Sequence, residues 1–186
     1  MRPASTVLSA GAVALAIGLA GSASADVTFT LTNQTYAGFS FSLAAAPGEL
    51  TGALTGASIN AVLENSIAYT YADDLCVYLD SGPLSVGGAL QIGGFSNLGA
   101  SQRYFWPTGG SSGLGTVAAG DVVLVTPILM DGSDLNVWIG NGYGFSGTSG
   151  TWSGTITLHG VNFVPTPGAV ALLGLGGLVA RRRRNG

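Results

Sequence analysis

The sequence has no lysine, a single cysteine, Cys76, and a single histidine, His159. Each shortage removes a class of chemistry. A zinc site needs several Cys or His ligands together, and one of each does not supply it. An internal disulfide needs a second cysteine, so Cys76 is expected as a buried thiol in a strand. Nucleophilic catalysis needs a base held against the nucleophile, yet His159 is the sole imidazole and no G-x-S-x-G elbow accompanies it. Beside a pairing of serine or Cys76 with His159 stands the simpler reading, a polar histidine on the outer face of the last strand.

Charge is scarce as well, with Asp, Glu, Lys and Arg together only 8% of the residues. Five of the six basic residues, Arg2 and Arg181 to Arg184, sit at the ends of the chain, which leaves Arg103 alone against nine acidic residues in between. Such a middle repels nucleic acid and anionic membrane surfaces, so no nucleic-acid partner is expected. Its surface must be built from Ser, Thr, Asn and Gly. The mean hydropathy of +0.47 is inflated by two apolar end segments and by alanine and glycine. Glycine-rich breaks at 87–88, 93–94, 109–115 and 140–150 recur too often for long helices.

The two ends carry recognisable instructions. Residues 1–25 hold one positive charge at Arg2, an apolar stretch from Val7 to Ala20, and Ala23-Ser24-Ala25 before Asp26. That order is a secretory signal peptide with a small-x-small cleavage site, read by the Sec export machinery and cut after Ala25. At the other end stand Val164-Pro165-Thr166-Pro167-Gly168, an uncharged run to Ala180, then Arg181-Arg182-Arg183-Arg184. From Gly168 to Ala180 a helix would span roughly 20 Å, against about 30 Å of hydrocarbon, which is short for a permanent membrane span. Pro165 and Pro167 bar its extension toward the N-terminus. The arginines form a cytoplasmic stop, giving a topology with the N-terminus out and the C-terminus in.

At these residues the tail resembles the PEP-CTERM sorting signal of exported bacterial proteins, with a proline motif, a short apolar helix and a basic cluster in the same order. The resemblance covers residues 164–186 only. In the commonest form a glutamate stands between the prolines, where this chain has Thr166. The resemblance implies an exosortase-like sorting enzyme as partner, transient inner-membrane anchoring, removal of the helix, and a final place at the cell surface or in the extracellular matrix among exopolysaccharide. The chain thus divides into a signal peptide (1–25), a cargo domain (26–163) and a sorting signal (164–186).

The cargo reads as all-β. Val27, Phe29 and Leu31 alternate with threonines; Phe39, Phe41 and Leu43 alternate with Ser40 and Ser42; Ile67, Tyr69 and Tyr71 repeat the pattern. So do Leu75, Val77 and Leu79, with Cys76 and Tyr78 on the opposite face. Each run is expected to bury one face and wet the other, as in an antiparallel sheet with one exposed side. Val122 to Val125, apolar on both faces, predicts a strand in the middle of a sheet. Leu135, Val137 and Ile139 predict another. In the last strand Trp152, Ile156 and Leu158 point one way and Thr151, Ser153, Thr155, Thr157 and His159 the other. Only residues 58–66 read as a short helical turn. Eight or more short strands predict one antiparallel β-sandwich, jelly-roll or Greek-key, between a signal helix and a short C-terminal apolar helix. Residues 140–160 are weakly similar to the closing strands of proprotein-convertase P-domain-like and galactose-binding-like sandwiches.

Candidate chemistry in the cargo is sparse. Gly142-Tyr143-Gly144-Phe145-Ser146-Gly147 spells the dinucleotide pattern, but it leads into a strand rather than the helix that a pyrophosphate needs. Calcium takes oxygen ligands, and Asp131, Ser133, Asp134 and Asn136 share one turn, with Asp73, Asp74 and Asp80 as further donors; against this stands ordinary turn chemistry, in which carboxylates cap backbone. A glycosidase would need two apposed carboxylates from among Asp73, Asp74, Asp80, Glu49 and Glu64. Tyr104, Trp106, Trp138 and Tyr143 are candidate glycan platforms if exposed, and core aromatics if not. The expectation is a non-enzymatic exported surface or matrix protein without a required cofactor. The alternative is a carbohydrate- or calcium-binding module, and a secreted hydrolase comes third.

Overall fold

A computed structural model describes residues 26–82 and 87–165. The signal peptide up to Ala25, its predicted helix, and the tail from Thr166 through the apolar segment to Arg181–Arg184 lie outside the described residues. Among those described, regular structure is β-strand apart from one 3-10 turn, Ala72–Asp74. The strands are β1 (Val27–Ala37), β2 (Phe41–Ala45), β3 (Leu50–Ile67), β4 (Leu75–Asp80), β5 (Leu90–Ile92), β6 (Gln102–Tyr104), β7 (Val117–Leu129), β8 (Asn136–Asn141) and β9 (Ser149–Phe163).

They form two sheets, one ordered β1-β9-β3-β7 and the other β2-β8-β4-β5-β6. The first is antiparallel throughout, while the second is mixed, because β5 and β6 run parallel. The purely antiparallel expectation is corrected at that one pair. One core serves both sheets: Leu54, Ile59, Trp152, Ile156 and Leu158 from the first meet Leu75, Val77, Leu79, Leu90, Ile92, Val137 and Ile139 from the second. Burying each aliphatic side chain contributes roughly 1.5–3 kcal/mol, so the period-two pattern decides which face turns inward.

The outward face of the first sheet carries the hydroxyl residues. Thr28 and Thr157 hydrogen-bond through their side chains at 2.9 Å, and Thr35 and Thr151 at 2.8 Å, each pair facing across β1 and β9. His159 lies on this face, its Nδ1 2.8 Å from Asp26 Oδ2, as expected for the outer side of the last strand.

Further sequence expectations give way. In the 39–43 run Phe39 and Leu43 are 38% and 49% exposed, so that run does not bury its apolar face. Residues 58–66 are strand within β3 and bond to both β9 and β7, so pairing on two sides overrides the helical propensity of Ala, Leu and Glu. Residues 68–71 leave the strand that Ile67 ends: Ala68 and Tyr69 have φ of 54° and 61°, which turns the chain. The Val122–Val125 segment lies in β7 at the edge of its sheet, with Val122 and Leu124 buried while Val123 and Val125 are 78% and 88% exposed. Finally, β4 is buried on both faces. Cys76 and Tyr78 are covered by Leu98, Phe41, Ala100 and Trp138, because the chain after β5 folds back over them. Buried Gln91 pins that return, its Nε2 donating to the carbonyls of Gly93 and Ser96 and its Oε1 accepting from the Leu98 amide. Cys76 is the buried strand thiol foreseen.

Candidate functional site

The 3-10 turn Ala72–Asp74 is the knot at one end of the two sheets. From the core side two tryptophans hold it: Trp152 Nε1 donates to the Ala72 carbonyl at 3.0 Å, and Trp106 Nε1 to the Leu75 carbonyl at 2.7 Å. From the outer side Asp74 gathers three loops. Its Oδ2 accepts from the Tyr71 amide at 2.7 Å, its Oδ1 from the Phe95 amide at 3.1 Å, and its carbonyl from the Gly142 amide at 2.8 Å. Segments separated by some seventy residues in sequence thereby meet around one carboxylate.

What these loops present is aromatic. Tyr69, Tyr71, Phe95 and Tyr143, with Asp74, line a cleft of about 250 Å³. A smaller hollow of about 90 Å³ shares Tyr71, Asp74 and Phe95 and adds Asp73, Gly94 and Phe105. Phe95 packs edge-to-face on Tyr143 with ring centroids 5.8 Å apart, and Tyr143 lies 5.4 Å from Phe145. Tyr69 is 78% exposed. It sits at the second of two consecutive positive-φ positions, the pattern of a type I′ turn, where glycine and asparagine are the usual occupants. A Thr70 hydroxyl bond to the Ile67 carbonyl, 2.9 Å, closes that turn.

The electrostatics of the cleft come from two neighbouring carboxylates. Burial pushes Asp74 up to about 6, with the Asp73 charge adding to it and the Tyr71 and Phe95 amides pulling the other way. Burial also raises Asp73. Arg103, the single basic residue between the two ends of the chain, turns inward: its Nη2 donates to the Gly94 and Phe95 carbonyls, each at 3.0 Å, and its guanidinium lies 4.6 Å from the Phe105 ring centre.

The residues singled out from sequence are dispersed. Of the four proposed platforms, Tyr143 alone lines the cleft. Trp106 is buried in the core, Tyr104 packs against it with its hydroxyl accepting from the Val125 amide, and Trp138 lies half-buried against Cys76 and Tyr78. Phe95, Tyr69 and Tyr71 were not foreseen as partners. Phe95 had no reading in the sequence, and the two tyrosines look like the alternating face of a strand.

The oxygen-rich turn at 131–136 is spoken for in part. Asp131 Oδ1 accepts from the Thr51 hydroxyl and from the Gly52 amide, bonds that hold this carboxyl below its usual range. Asn136 Nδ2 donates to the Asp80 carbonyl at 3.2 Å, and the Ser133 amide donates to the Met130 carbonyl. Asp74 and Asp80 flank opposite ends of β4, roughly 20 Å apart at strand rise, too far to share an ion. Among the described residues no group of three or more His, Cys, Asp and Glu side chains stands together as a metal-ligand set.

The nucleophile and base candidates are also kept apart. Cys76 faces away from the core on the second sheet, while His159 is on the outer face of the first; burial raises the Cys76 thiol far above its ordinary range. Ala23 and Ala25 of the predicted cleavage site lie outside the described residues, whereas Asp26 is bonded to His159 and to the Gly160 amide. In the sorting motif Val164 and Pro165 are described, and the Val164 amide donates to the Glu49 carbonyl at 2.9 Å. Thr166, Pro167, Gly168 and the four arginines fall beyond. The Gly142–Gly147 loop packs Gly142 against Gly94 and runs into β9. No protein-family model, no curated protein and no solved structure matches the chain.

Proposed function

We propose that this is a non-enzymatic, exported protein of the cell surface or extracellular matrix, whose cargo is an adhesive or structural β-sandwich of jelly-roll or Greek-key type. The observation that carries the reading is the order of its parts: a signal peptide, one all-β domain, then a proline motif, apolar run and arginine cluster. Two boundaries support it. β1 opens at Val27, one residue past the predicted cut, and β9 closes at Phe163, just before the proline motif. Removing both address segments leaves all nine described strands intact. A structural part for Asp74 fits this reading, since it spends both oxygens on backbone amides that shape the loop end.

The sorting enzyme would meet Val164, Pro165, Thr166, Pro167 and Gly168 at the membrane face, with Arg181, Arg182, Arg183 and Arg184 holding the helix in place until cleavage. Replacing both prolines by alanine in a bacterium that carries an exosortase tests this. The wild-type protein reaches the surface fraction, and the double variant stays in the inner membrane. Equal surface delivery of both would refute a sorting role for the motif.

A further inference from the structure

The aromatic loop end gives the adhesive half of that reading a ligand, and it stands or falls apart from the sorting half. We infer that the cleft and the smaller hollow beside it bind an uncharged glycan chain, its sugar faces stacked on Tyr69, Tyr71, Phe95 and Tyr143 and its hydroxyls bonded to the phenols and to Asp73.

Four observations converge on this ligand class. First, the lining is mostly ring surface with phenolic hydroxyls, which matches a pyranose, apolar on its C–H faces and polar at its rim. Second, the two hollows lie side by side and share Tyr71 and Phe95, so a ligand crossing both must be longer than one ring. Third, among the described residues no basic side chain lines the cleft or the hollow: the Arg103 guanidinium is turned to the Gly94 and Phe95 carbonyls, while Asp73 and Asp74 place negative charge in the lining. An acidic polysaccharide is therefore disfavoured. Fourth, Tyr69 is held out to solvent in a left-handed backbone conformation that its side chain disfavours, an arrangement kept at functional positions.

A peptide is the weaker fit. The bordering loops have turned their amides inward, Gly94 to the Asp73 carbonyl, Ser96 to the Gly142 carbonyl and Gly142 to the Asp74 carbonyl, while the Tyr71 and Phe95 amides go to the Asp74 carboxylate. Little backbone is left for strand addition. Sugar hydroxyls need only side chains.

Calorimetric titration of the purified protein tests the inference, using a panel of neutral oligosaccharides from glucans, xylan, mannan and chitin, with oligogalacturonate and an aromatic-rich peptide as contrasts. At least one neutral oligosaccharide saturates the site, its monosaccharide binds more weakly, and oligogalacturonate does not bind. Tyr69→Ala and Phe95→Ala each weaken binding roughly 3- to 10-fold with the melting temperature preserved, and Val125→Ala, on the far edge strand, leaves it unchanged. Silence across the neutral panel overturns the inference. So does preference for oligogalacturonate or peptide, or affinity undiminished in both aromatic variants. Loss of sorting would show in the protein's location and leave these titrations untouched.

Discussion

Asp74 illustrates how much one side chain can organise and what it costs. Its carboxylate joins the Tyr71 and Phe95 loops, yet burial and the adjacent Asp73 make its ionisation unfavourable, lifting it from 3.8 to about 6. A carboxyl raised on folding stabilises the fold fully below its unfolded value, and that contribution is lost as pH rises through the folded value. Between pH 5 and 7.5 the wild-type protein should therefore lose roughly 1 kcal/mol through this group. Asp74→Asn removes that share of the slope. Urea unfolding at the two pH values, compared between the two chains, reads the difference; parallel slopes would contradict it. At this scale the sequence was legible for His159, whose outward place follows from strand alternation, and for Cys76 as a buried thiol, although its burial comes from the chain after β5 folding over a face that alternation alone would wet. It was not legible for Tyr69, because Ile67-Ala68-Tyr69-Thr70 contains none of the Gly, Asn or Asp residues that announce a positive-φ turn.

Strands β3 and β9 carry the first sheet, each bonded on both sides. Their alternating faces made β9 readable residue by residue, and only its neighbours were hidden, since register depends on partners distant in sequence. The 58–66 segment shows the limit: its local preference is helical, and the energy that overrides it belongs to β7 and β9. In β7 the apolar Val123 and Val125 gave no sign of exposure, because composition does not say which strand ends a sheet. Gly154, at the centre of β9, is a further constraint. It lies opposite Leu31 on β1 and Ala61 on β3, has φ of 143°, and a Cβ there would run into the Asn60 carbonyl. Gly154→Ala should cost about 2–4 kcal/mol, from backbone strain and overpacking together. Denaturant titration checks it, and a loss below 0.5 kcal/mol, the range of an ordinary surface change, would mean the strands can shift to admit the methyl group.

For the molecule as a whole, the all-β class followed from periodicity and glycine spacing, while the aromatic cleft did not. It joins Tyr69, Phe95 and Tyr143 through loops whose meeting depends on the order of strands in both sheets, and no local pattern encodes that order. The export reading rests instead on the ends of the chain, where composition itself is the signal. The most direct measurement is the intact mass of the protein recovered from the surface of the cells that make it. The account predicts a species starting at Asp26 and lacking Arg181 to Arg184. Material that still carries both Met1 and the four terminal arginines would contradict it.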